Sequence, residues 1–243
     1  MTPGTRYPNA PITEAVIDIQ VAASASMDRL AEAFADEPAY SPEKLFATTA
    51  AMTFSPDANT VATATSEPIG YLYRSTDKLH ICQARTNGFT FSRLAKYPGW
   101  GEVSAEARRL WDKYRAATTP TSITRIALRY VNRLDIPLPL DDFSRYLRTA
   151  PQLSSELPQG LSGYFMQLQV PLPDTRTACV INETIIEPSK PSTVAVVLDI
   201  DVFRTSDLPK DEAQLWEQLE QLRSEKNRVF EACITDDARR LFQ

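Results

Sequence analysis

Apolar and polar positions alternate over 13–22, with Ala15, Ile17, Ile19 and Val21 on one side and Glu14, Asp18 and Gln20, joined by Val16, on the other. A period of two predicts a strand with one core face and one polar face. The spacing changes over 27–34, where Met27, Leu30, Ala31 and Phe34 recur at helical intervals behind Ser26, whose hydroxyl can accept from the first-turn amides. A short capped helix is expected there, and Pro38 and Pro42 predict a loop after it. Over 49–94, β-type runs are separated by Pro56 with Asp57, Glu67 with Pro68, Thr76 with Asp77 and Asn87 with Gly88. The last pair is a two-residue hairpin signal, so the segment reads as an antiparallel meander. Helical spacing returns over 103–116 through Val103, Ala107, Leu110, Trp111 and Tyr114.

From Pro120 onward the same order recurs: a strand at 122–136, a helix near 141–148, strands near 163–171, 176–186 and 193–204, and a helix at 209–233. Pro209, Asp211 and Glu212 suit the start of that helix, where unpaired amides and the dipole favour proline and acids. Leu215, Leu219, Leu222, Val229, Phe230 and Cys233 form an apolar stripe that has to be buried, and a sheet is the available partner. The expected fold is therefore α+β and mainly antiparallel, with two β-α-β-β-β-α-like halves that suggest an internal duplication and a long C-terminal helix packed on the sheet. Residues 1–243 read as a single compact domain, with half-domains 1–120 and 121–243 as the alternative.

Composition narrows the classes of function. Hydrophobic residues make up 43% and charged residues 23%, ordinary values for a chain that folds unaided. The net charge of -5 opposes general attraction to nucleic acid or anionic lipid. No run approaches the length of a bilayer span, and residues 1–9 lack the layout of a signal peptide, so a cytoplasmic location without membrane attachment is expected. Cys82, Cys179 and Cys233 are too far apart for a compact metal site and read as reduced core thiols. His80 is the one histidine, so any Ser-His-Asp or Cys-His chemistry has to use it. Cys82 shares its strand face, but neighbours two apart on a strand do not hydrogen-bond directly.

The segment 123–135 places Arg125, Arg129 and Arg133 on one strand face with Ala127 and Val131. In 198–202, Leu198, Ile200 and Val202 face the core while Asp199 and Asp201 project together from the other side, and Glu14 and Asp18 form a third polar row. Three such strands in one sheet make a surface of alternating guanidinium and carboxylate groups. Arginine forks bind carboxylate or phosphate, and paired carboxylates can hold a divalent cation. The plainer structural expectation is that these groups pair with each other across strands.

Several segments, YPNAPITEA at 7–15, RYVNR at 129–133 followed by Ile136 and Pro137, LDID at 198–201, and KNRVFE at 226–231 followed by Ile234 and Thr235, span nearly the whole chain. In order and spacing they resemble a sporadically distributed prokaryotic family of proteins of about 250 residues and unknown function. The resemblance implies no reaction and brings no catalytic residues.

Three functional readings remain. The leading one is a non-catalytic cytoplasmic binding or regulatory protein without a cofactor, in an accessory or mobile genetic system. It would hold a protein partner or a small anionic ligand through Arg125, Arg129, Arg133, Asp199 and Asp201. This reading rests on the lack of a P-loop, a dinucleotide-binding glycine fingerprint, a serine-nucleophile elbow, an HExxH or a paired-cysteine motif. The alternative is a metal-assisted enzyme on phosphorylated small molecules, with Glu14 and Asp18 joining the two later aspartates around Mg²⁺ or Mn²⁺ and the arginines as phosphate clamps. A second alternative is single-stranded nucleic acid on the sheet face, stacked on Tyr71, Tyr73, Phe89 and Phe91, although strand aromatics are more often core.

Overall fold

The rows of alternating residues come together in one sheet. In the computed structural model, which describes residues 7–22, 25–53, 61–157 and 160–243, the first half consists of β1 (Ile12–Ala22), α1 (Met27–Ala33), β2 (Tyr40–Thr53), β3 (Val61–Ser75), β4 (His80–Arg85), β5 (Gly88–Leu94) and α2 (Trp100–Thr118). The second half consists of β6 (Ser122–Pro137), β7 (Phe165–Leu172), β8 (Thr177–Ile186), β9 (Thr193–Arg204), α3 (Glu212–Cys233) and the short α4 (Asp236–Arg240). Among the described residues the nine strands form one antiparallel sheet in the order β2-β3-β4-β5-β1-β6-β9-β8-β7. Each half begins on a central strand, β1 or β6, and sets its later strands outward from it in reverse order. The halves meet where β1 pairs with β6.

Register carries the core across the sheet. Tyr73, Cys82, Phe91, Ile17, Leu128, Val202 and Cys179 are successive cross-strand partners, and all are buried on one face. On this face α2 lays Trp111 and Tyr114 against Phe89, and α3 packs on β6 and β9 through Leu215, Leu219, Leu222 and Phe230. Covering one face of an antiparallel sheet leaves the other to polar residues. The two helices are tied together by Arg115 and Glu212 at 3.1 Å, and Arg108 lies over the Trp216 ring. Among the described residues no helix is long and apolar enough to cross a membrane.

The structure differs from the sequence expectations at four places. Pro42 lies within β2 rather than in a loop, a position open to proline because β2 is an edge strand and one side of its ladder needs no N–H. Glu67 and Pro68 do not form a turn: β3 runs through them, with a register shift opposite Leu45 and Phe46 and beyond the reach of the β3–β4 ladder. The helix expected near 141–148 is only a 3-10 turn at Phe143–Arg145. Asp142 draws the Ser144 amide and hydroxyl to its carboxylate, and Leu147 bridges to Ile234 in extended form. Among the described residues the second half therefore has no counterpart of α1, and the first half has four strands after its helix where the second has three. The Pro56 and Asp57 turn lies outside the described residues.

Candidate functional site

β6 carries the arginines and lies between the two acid-bearing strands, β1 and β9, so the predicted rows meet on the face opposite the helices. Arg125 spans both neighbours: its Nη1 lies 3.0 Å from Asp18 Oδ2 and its Nη2 2.8 Å from Asp201 Oδ2. Its guanidinium also rests over the Phe203 ring at 4.7 Å. Arg129 stands opposite Asp201 in register but sends its fork one pair along the strand to Asp199, with Nε to Oδ1 at 2.8 Å and Nη2 to Oδ2 at 2.7 Å. The Asn182 side-chain amide donates to the same Asp199 carboxylate at 2.9 Å. Arg85 on β4 and the Thr90 hydroxyl on β5 complete the shell of Asp18, at 2.8 and 2.7 Å.

Two of the expected residues stand apart. Arg133 turns to Asp135 on its own strand and to the Glu187 carbonyl, at 3.0 and 3.1 Å. The Glu14 side chain forms no hydrogen bond or ion pair among the described residues, and its carboxylate only adds to the negative field around Arg129. The structure thus gathers Asp18, Arg125, Arg129, Asp199 and Asp201 into one charge network of two hydrogen-bonded groups, Asp18–Arg125–Asp201 and Arg129–Asp199, which act on each other through the field between Arg129 and Asp201. It adds Arg85, Thr90 and Asn182, for which the one-dimensional pattern held no signal beyond a share in the same strand face.

Electrostatics follow from this pairing. The fork onto Asp199 raises the Arg129 pKa above its ordinary value. Burial pushes the Asp201 carboxyl up, against the pull of Arg125, and its Oδ1 is buried without a hydrogen-bond partner. Arg129 keeps half of its side-chain surface exposed while Asp199 beneath it keeps 6%. Each of the three arginines already has a carboxylate of its own chain, so none presents an unmatched fork to a phosphate. No group of three or more His, Cys, Asp or Glu among the described residues could hold a metal ion, and the Asp18 carboxylate is engaged by two arginines and a hydroxyl.

His80 and Cys82 form no catalytic pair. A ring nitrogen of His80 lies 3.0 Å from Arg93 Nη1, and the ring stacks on Phe91. Burial and Arg93 hold its imidazole below the ordinary histidine range, and burial pushes the Cys82 thiol up. All three cysteines are buried and unpaired. Tyr73, Phe89 and Phe91 belong to the core, and Tyr71 packs against it.

Two charged residues on the helix-covered side are buried, which no pattern in the sequence indicated. Lys226 falls on the apolar stripe of α3, with Nζ 3.7 Å from the centre of the Tyr130 ring, and burial lowers its pKa to about 7. Glu183 on β8 is fully buried, accepts from the Tyr164 hydroxyl at 2.6 Å, and is pushed up to about 7 by burial.

The chain matches none of the protein-family models and none of the curated proteins with which it was compared.

Proposed function

We propose that this chain is a non-catalytic binding protein that presents the open face of its sheet, around Arg129, to a protein partner. The observation that carries this reading is the internal neutralisation of the Arg125, Arg129, Asp18, Asp199 and Asp201 network on a face that no helix covers among the described residues. Guanidinium groups already held by carboxylates are poor phosphate clamps, and a balanced surface does not draw in nucleic acid. A half-exposed, pre-oriented arginine among half-buried Val16, Val131 and Phe203 suits a protein interface, where arginine anchors set in apolar surroundings contribute much of the binding energy. The cytoplasmic setting and the place in an accessory or mobile genetic system stay with this proposal. The internal duplication does too, supported by the matching strand order on either side of the β1–β6 pair.

The test is affinity capture from the native host with the wild type, Arg129→Ala and, as a matched loss of one exposed cation on α4, Arg240→Ala. A partner retained by the wild type and by Arg240→Ala, but weakened about tenfold or more by Arg129→Ala, is the expected result. Melting temperatures with nucleotides should not respond to Mg²⁺ or Mn²⁺. A metal-dependent stabilisation that vanishes in Arg129→Ala and Asp201→Ala would overturn the proposal in favour of an enzyme on phosphorylated substrates.

A further inference from the structure

The two ends of the sheet are guarded differently. β2 carries Pro42, Glu43 and Lys44 along its outer edge, the devices by which natural edge strands resist pairing. β7, FMQLQVPL, has no charged residue, and no strand pairs with its outer side among the described residues. Phe165 is 69% exposed and Val170 36% exposed. The open face of β8 beside it is also uncharged, through Ala178, Val180, Asn182 and Thr184. A long edge of this kind has unsatisfied backbone groups and apolar side chains in water, and Pro171 removes one donor only near its end.

From this edge we infer that the chain forms a two-fold homodimer by antiparallel pairing of β7 with β7 of a second copy, centred on Leu168. The pattern of β7 reads alike in both directions about that residue. With Leu168 opposite itself, Gln167 meets Gln169, Met166 meets Val170, Phe165 meets Pro171, and Tyr164 meets Leu172. On the open side of the strand pair amide faces amide and Phe165 faces Pro171, and on the core side Met166 faces Val170 and Leu168 faces itself, so like meets like throughout, as an isologous contact requires. A one-residue slip would set the interface off its centre and expose the apolar set to the wrong face. A second copy also brings no like charges together at the seam, although each chain carries a net charge of -5. The strand pair joins the two sheets into one, and it is independent of what the open face around Arg129 binds.

The full chain is examined by analytical ultracentrifugation over a range of concentrations, as the wild type and as Phe165→Lys with Val170→Lys. The wild type should sediment at twice the chain mass and the lysine variant as a folded monomer of unchanged circular dichroism. Leu168→Cys supplies a second readout, because the native cysteines are buried and only a residue on the axis meets its own copy. Mild oxidation should link Leu168→Cys into a covalent dimer and leave Phe165→Cys unlinked, since two Phe165 positions would lie about 20 Å apart. A wild type that stays monomeric throughout, a dimer that survives both lysines, or equal cross-linking of the two cysteine variants would overturn the inference.

Discussion

Lys226 shows how one residue can contradict the pattern around it. It occupies the helical position that a leucine or methionine would fill, is 7% exposed, and among the described residues its side chain makes no hydrogen bond or ion pair, only a contact with the Tyr130 ring. Burial, reinforced by Arg223, lowers its pKa from 10.5 to about 7. The unfolded chain therefore holds the proton more tightly than the folded one. Stability from this group is fully present above 10.5 and is lost as the pH falls through about 7. Lys226→Met should raise stability at pH 7 by on the order of 2–4 kcal/mol and remove the rise between neutral and alkaline pH, as read from urea melts across that window. Glu183 acts in the opposite sense: its raised pKa costs stability as the pH rises from 4.5 through about 7. The sequence could place neither residue, because a lysine on a helix or a glutamate on a strand is exposed far more often than buried, and only the packed neighbours decide which.

Among the elements, strands with strict alternation were legible and those that broke a local rule were not. β1, β6 and β9 fall where their patterns put them, because a period of two with one apolar face has no other way to bury itself. β2 and β3 run through prolines that read as breaks. The reason is positional: Pro42 is on an edge and Pro68 lies past the end of the β3–β4 ladder, so neither removes a needed donor. Gly70 marks the tightest strand approach in that region, since a Cβ there would come within 2.2 Å of the Ala84 carbonyl oxygen. Gly70→Ala should cost about 2 kcal/mol or more and loosen β3 from β4. The check is a lower urea midpoint together with faster amide exchange in 70–74 than in β6.

At the scale of the whole molecule, the binding between halves decides what can fold. β1 belongs to the first half by sequence, yet along almost its whole length it pairs with β6 of the second. Cutting at the Pro120 joint would strip one edge of β1, uncover the row through Ile17 and Ile19, and remove α3 from its contacts with α2. Residues 1–120 alone should therefore show no cooperative thermal transition, and co-expression with 121–243 should restore one. A sharp transition for the isolated fragment would mean that the halves are independent domains.

The sequence by itself determined the antiparallel α+β class, most element positions, the buried side of each regular strand and the polar side opposite, because those follow from local periodicity and capping. It also held all five members of the network as a set, since three separate strands each carried charge on one face. Their meeting was decided by strand order, which places β6 between β1 and β9 and lets each arginine find a carboxylate across the ladder. The pairing turned a set of apparent anion clamps into a neutralised surface, because charge compensation depends on distances between strands and leaves no mark on any one of them.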